Sequence, residues 1–243
     1  MDTNESVVNA QKPLLSRIQH YLGEFVYGGI DGSVTTFAVV AGSAGANLES
    51  AVVIILGFAN LIADGFAMSI GSYLSSKSQI QNYNKHKQSE YWEIEHLTET
   101  EVEEVREIYR SKGFEGELLE QVVAKITENK DRWVDTMMKE ELEMIPDNKP
   151  PVMIGAVTFI SFLILGFIPL TVYVWDYVAS GSDKNNLFFA SSVLTFLAFA
   201  VIGYLKSYVT ETNKLKAVLE TILLGGVAAA LSYIVGDWLE KIL

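Results

Sequence analysis

The chain has 243 residues, a formal net charge of −12 and no cysteine, which excludes disulfides and thiolate-held metals and argues against a nucleic-acid partner. Its mean hydropathy of +0.23 hides a sharp division. The segment 77–150 holds 18 acidic and 11 basic residues, a net of −7, while the stretches on either side are almost uncharged.

Residues 1–21 form a polar tail without the short apolar run and small-residue cleavage site of a signal peptide. The first apolar stretch, Phe25 to Asn47, carries one charge, Asp31, within a crowd of small and hydroxyl residues: Gly28, Gly29, Gly32, Ser33, Thr35 and Thr36. Glycines permit close helix approach, and hydroxyls satisfy carbonyls where a helix loosens. An ionisable group inside such a span is costly unless it faces a cavity, a partner or an ion, so Asp31 is a candidate for an ion path. The other reading is a structural carboxylate bonded to helix ends.

The second stretch, Ser50 to Ser76, carries only Asp64. Asn60, Asp64 and Met68 are spaced by four and share one helical face, an amide, a carboxylate and a thioether in line. That mixture suits a divalent transition metal better than calcium or magnesium, for which oxygens alone suffice. Ala63, Ala67 and Gly71 repeat at the same spacing, a ridge suited to close packing against the first span or a second subunit.

Nothing stops this helix, so Lys77 to Glu95 is predicted to continue it. Thr98 with Glu101 reads as a capping box opening a new helix. Gly113 ends that helix, Gly116 precedes another, and Asp131 to Glu143 forms a further one before Pro146, Pro150 and Pro151. Within this segment Glu90 and Glu93 are three apart, as are Glu101 and Glu104, so each pair shares a face. Met137, Met138 and Glu141 add thioethers and a further carboxylate. Such clustering repels itself without cations; it is either a solvated acidic surface or a metal site. Glu93 and His96 form one E-x-x-H, but a di-iron bundle needs two such motifs and no second occurs, which leaves His86 and His96 as surface groups. No catalytic constellation is present and no resident cofactor is indicated, so the chain reads as a non-enzyme.

Three further apolar runs follow: Val152 to Val174, Leu187 to Leu205 and Thr221 to Gly236. All five runs approach the roughly 20 residues a helix needs to cross a bilayer. Pro169 is expected to bend the third. Trp175, Tyr177 and Trp238 are candidate interface anchors, and Glu220 lies at the start of the fifth, where ion delivery is one available role. With five spans, the tail (Lys12, Arg17), the 77–150 insert and the linker with Lys206, Lys214 and Lys216 share one side. That side carries 16 of the 18 basic residues and is therefore cytoplasmic; Lys184 and Lys241 remain opposite. The expected fold is an all-α membrane protein with spans 1 and 2 in 22–76, a cytoplasmic helical metal-binding domain in 77–150, and spans 3 to 5 in 151–243.

From about Leu22 to the end of the fifth span the chain resembles the vacuolar iron transporter family. Four motifs carry the resemblance, in order. They are Tyr27-Gly28-Gly29-Ile30-Asp31-Gly32-Ser33-Val34-Thr35-Thr36-Phe37, Ala67-Met68-Ser69-Ile70-Gly71-Ser72-Tyr73-Leu74, Glu104-Val105-Arg106-Glu107-Ile108-Tyr109, and Trp133-Val134-Asp135-Thr136-Met137-Met138-Lys139-Glu140-Glu141-Leu142. The resemblance implies a homodimer of five-span subunits that exports Fe2+ from the cytoplasm in exchange for protons, with Mn2+, Co2+ and Zn2+ as further cargo. It implies that Asp31 and Met68 line the path and that Glu90, Glu93, Glu101, Glu104, Met137, Met138 and Glu141 bind metal in the insert. Plant-type members carry a glutamate where Asn60 stands; Asn60 takes no proton, and Asp64 one turn later is the candidate substitute. The membrane would be vacuolar in a plant or fungus and the plasma membrane in a prokaryote. The competing readings are an exporter preferring Mn2+ and a membrane metal sensor that transports nothing.

Overall fold

The computed structural model describes residues 20–179 and 186–242. The tail up to residue 19, with Lys12 and Arg17, and Lys184 lie outside them. Among the described residues every regular element is a helix: α1 (Leu22–Gly45), α2 (Ser50–His96), α3 (Thr98–Ser111), α4 (Gly116–Thr127), α5 (Lys130–Glu140), α6 (Pro151–Gly166), α7 (Ile168–Val178), α8 (Leu187–Thr210) and α9 (Lys214–Glu240). The chain separates into two compact units, one running to Tyr73 and resuming at Pro151, the other being Leu74–Pro150. The 47-residue α2 contributes its first half to one unit and its second half to the other.

In the first unit, α1, α2, α8 and α9 are each long and apolar enough to cross a membrane, and α6 with α7 passes the same test as a pair bent by 51°. The predicted bend is therefore a break at Phe167. Pro169 at the start of α7 has no N–H to continue the ladder. Its own carbonyl accepts the buried Ser191 hydroxyl at 2.6 Å, and the Phe167 carbonyl accepts from Leu170 N–H at 3.0 Å.

Small residues set how closely the helices approach. A Cβ on Gly236 of α9 would come within 2.9 Å of the Gly42 carbonyl carbon in α1. The apolar centre is Phe37, Val40, Val53, Leu61, Phe162, Leu170 and Phe199. Phe37 meets Phe196 edge-on at 5.9 Å between ring centres and Phe199 at 6.2 Å, a favoured aromatic geometry. The exposed surface is apolar too, including Ile55, Phe66, Trp175, Leu223 and Trp238. That is how a lipid-facing belt reads.

In the second unit, the latter half of α2 packs with α3, α4 and α5 around Ile94, Val105, Leu119, Val123, Trp133, Val134, Met137 and Met138. Gly113 (φ 91°) and Gly116 (φ 58°) take left-handed conformations in the α3–α4 turn, which a Cβ disfavours.

Two local expectations differ from the structure, and one cap was not foreseen. The capping box does not form: Leu97 is the N-cap of α3, and the Thr98 hydroxyl instead donates to the Ile94 carbonyl at 2.8 Å. The cap that does form was not foreseen, with Asn129 Oδ1 accepting from Arg132 N–H at 2.9 Å to open α5. That helix ends at Glu140 rather than Glu143, because Glu143 turns left-handed (φ 52°) and Met144 N–H closes back on the Met138 carbonyl at 2.7 Å.

Candidate functional site

In the first unit, α1 meets α6 backbone to backbone. A Cβ on Gly32 would lie 2.5 Å from the Phe162 carbonyl oxygen, and one on Gly28 would lie 2.5 Å from that of Thr158. Hydroxyls line this contact: Ser33 donates to the Gly29 carbonyl at 2.7 Å, Thr35 to that of Asp31 at 2.8 Å, and Ser161 to that of Thr158 at 3.0 Å. Asp31, next to Gly32, is half-buried, and its charge and that of Asp64 on α2 interact. Among the described residues, Thr36 Oγ1, Asn60 Nδ2 and Thr158 Oγ1 on α1, α2 and α6 are buried polar atoms without a hydrogen-bond partner. Leaving such groups unpaired costs about 1–3 kcal/mol each, so the fold tolerates unmet polarity along these helices.

Of the α2 line, Asn60 and Met68 are half-buried, Met68 against the apolar centre, while Asp64 is exposed. Ala63, Ala67 and Gly71 are exposed as well, and a Cβ on Gly71 would meet nothing within 4 Å. The small-residue ridge therefore does not pack on the first span, one of its two expected uses. Glu220 is exposed and pairs with Lys206 at 3.0 Å.

In the second unit, six of the thirteen acids outside the candidate set have a cationic partner among the described residues. Glu103 and Glu120 pair with Arg106, Glu95 with Lys130, Glu128 with Lys125 and Arg132, Asp135 with Lys139, and Glu140 with Lys112. Glu90, Glu93, Glu101, Glu104 and Glu141 have none among the described residues; Glu93 accepts only the Ser89 hydroxyl at 3.1 Å. Glu90 and Glu101 are 3% and 4% exposed, and one carboxylate oxygen of each is buried without a partner.

Burial pushes the Glu90 carboxyl up to about 7, helped by the charges of Glu141, Glu93 and Glu104. Burial likewise pushes Glu101 up to about 8, with Glu104, Glu90, Glu93 and Glu141 adding to it. Glu141, though its residue is exposed, is raised by partial desolvation of its carboxyl and by Glu104 and Glu93. Five carboxylates from α2, α3 and the end of α5 thus share one field. Met137 and Met138 are fully buried in the core of the same unit. Among the described residues no three His, Asp or Glu side chains converge as a finished metal site.

Sequence spacing paired Glu90 with Glu93 and Glu101 with Glu104, but not which member of each pair is buried; that depends on the neighbouring helices. Trp133 was not foreseen as notable. Its indole N–H is a buried donor without a partner, one turn before Met137. His96 stacks on Trp92 at 4.4 Å and bonds the Trp92 carbonyl, so the E-x-x-H does not act as a unit.

A sequence profile described as the VIT family matches residues 22–237. The Vacuolar iron transporter of Toxoplasma gondii is 32% identical over 228 residues, 91% of this chain and 75% of that protein. Vacuolar iron transporter 1 of Eucalyptus grandis is 33% identical over 211 residues, 86% of this chain and 83% of the relative. Its counterpart in Arabidopsis thaliana is also 33% identical over 211 residues, 86% and 82% of the two. With the profile spanning α1 to α9 and these relatives matched over most of their length, the chain belongs to the VIT family.

Proposed function

We propose that this protein is a membrane transporter, not an enzyme, that exports Fe2+ from the cytoplasm in exchange for protons. The observation that carries the metal reading is the group Glu90, Glu93, Glu101, Glu104 and Glu141, which share one field with no lysine or arginine partner among the described residues and of which Glu90 and Glu101 are buried. Buried anions are retained only where a cation or proton answers them. Met137 and Met138 bias the choice towards a transition metal. The names of the relatives make iron the favoured cargo, and an exporter of the same fold preferring Mn2+ is the nearest alternative.

In this reading the α6–α7 pair counts as one broken span, giving five, and the insert faces the cytoplasm by the distribution of basic residues. The insert collects the ion; Asp31, Asp64 and Met68 carry it across, with Asn60 contributing an amide oxygen. Asp31 alternates between protonated and metal-facing states, which is the least that exchange requires. An exposed Asp64 among Ile62, Ala63, Phe66 and Ala67 is untenable against lipid. A second copy covering that face, as a homodimer, removes the difficulty and gives the small-residue ridge its partner. The membrane is the vacuolar one in a plant or fungus, or the plasma membrane in a prokaryote.

Vesicles containing the protein and a metal-sensitive dye test the reading. Fe2+ and Mn2+ offered singly and in competition should each raise the signal, Fe2+ prevailing. Saturable metal binding with no flux would replace the transporter with a sensor.

A further inference from the structure

The turn between α8 and α9 holds one acid, Glu211, and leads into two lysines, Lys214 and Lys216, that make no ion pair among the described residues. Lys214 and Lys216 occupy the first turn of α9, which holds no acid; that is the reverse of the sign a helix start favours. The Lys214 ammonium lies over the rings of Tyr204 and Tyr208, 5.2 and 5.1 Å from their centres, and the two hydroxyls bond each other at 2.9 Å. Lys216 is exposed and makes no ion pair among the described residues. Glu220, one turn further on, is neutralised by Lys206.

Beside Lys216 runs an open groove of about 580 Å³ whose apolar wall is Leu215, Leu219, Leu223 and Leu224 and whose polar lining is Asn213, Lys216 and the Lys206-paired Glu220. These leucines recur one turn apart and are 67%, 56%, 63% and 59% exposed. A cationic rim with an adjoining tyrosine pair, set at the head of a leucine-lined groove, matches a molecule with an anionic head and a long apolar tail.

We propose that the α8–α9 turn binds one anionic phospholipid, its phosphodiester held by Lys214 and Lys216 and one acyl chain lying along the leucines. Charge complementarity selects this occupant over a neutral lipid, and the length of the leucine row selects it over free phosphate. The site rests on the reading of α8 and α9 as membrane-spanning, but not on any cargo or direction of transport.

The test uses delipidated full-length protein in neutral detergent, with bound lipid counted by native mass spectrometry. Phosphatidylglycerol should bind once per subunit and phosphatidylcholine should not. The double variant Lys214→Gln/Lys216→Gln should weaken phosphatidylglycerol about thirtyfold, the effect of removing two interfacial charges. Lys241→Gln, whose lysine pairs with Asp237, should change nothing. Leu219→Glu should weaken binding with both lysines present.

Equal retention of the two lipids, or unchanged affinity in the double variant, overturns the proposal. Displacement of phosphatidylglycerol by glycerol 3-phosphate at equal concentration overturns it too, because the groove would then contribute nothing. If the double variant loses the dimer instead of the lipid, the face belongs to a second copy and the proposal fails. Vesicle flux measured in parallel separates the two readings: flux without selective lipid binding refutes only this site, whereas protein that never enters vesicles refutes the membrane reading itself.

Discussion

Metal binding to the insert should expel protons, and the structure fixes roughly how many. A carboxyl at about 7 is half protonated at pH 7, and one at about 8 is roughly nine-tenths protonated. A divalent ion that takes both Glu90 and Glu101 as carboxylates therefore releases about 1.4 protons at pH 7, about 1.9 at pH 6 and about 0.3 at pH 8.5. Affinity should accordingly rise about fiftyfold between pH 6 and pH 7, then flatten above pH 8. The assay is titration calorimetry with Mn2+, which avoids oxidation of Fe2+, in two buffers of different ionisation enthalpy. Glu101→Gln isolates the residue: release at pH 7 should drop by about 0.9 proton while that from Glu90 stays. Release near zero at pH 7 in the wild type, or unchanged in Glu101→Gln, would refute the claim that these buried carboxyls are the ligands.

The remaining predictions concern stability and the ion path. Because Glu90 and Glu101 have folded values above their ordinary 4.5, the metal-free folded insert binds more protons than the unfolded chain between pH 4.5 and about 8. Its stability must then fall as pH rises through that window, by on the order of 3 kcal/mol at pH 7 for Glu101, and limited proteolysis should show cleavage within 74–150 rising from pH 5 to pH 8. Added Mn2+ should suppress the cleavage, and Glu101→Gln should flatten the trend. Gly32→Ala forces a Cβ against the Phe162 carbonyl and should destabilise the protein by about 1–3 kcal/mol, seen as a lower thermal transition in detergent. Met137→Leu should cost less than about 1.5 kcal/mol of stability, yet weaken Fe2+ and Co2+ binding while leaving any Mg2+ binding unchanged. Asp64→Asn should abolish proton-coupled flux and leave Mn2+ binding at the insert intact; normal coupling in that variant would refute Asp64 as the substitute for the missing span 2 glutamate.

What could be read from the residues was whatever depends on local pattern. Uncharged runs of bilayer length located every long apolar helix, and the absence of a stop signal after Ser76 foretold that α2 runs on to His96. The i, i+3 spacing of glutamates found the acidic pairs. What escaped depended on neighbours brought in by the fold. Thr98 has the residue type of an N-cap, but with Leu97 in that place its hydroxyl bonds the previous helix. That Glu220 pairs with Lys206, fourteen residues earlier, was not legible in local pattern. The ion pairs that six of the other acids in the insert make involve partners 35 residues apart in the case of Lys130 and Glu95. Pro169 announced a bend, but that the break leaves its carbonyl to Ser191 on α8 is a tertiary fact.

The central claim is that a proton gradient drives metal through the membrane unit by way of Asp31. Flux of Fe2+ or Mn2+ into dye-loaded vesicles, measured with the interior acidic and again with the gradient collapsed, tests it most directly. Wild-type protein should move metal inward with the acidic interior and slow sharply when the gradient is removed, while Asp31→Ala should bind metal but transport none. Equal wild-type flux with and without the gradient, or undiminished flux in Asp31→Ala, would contradict the account.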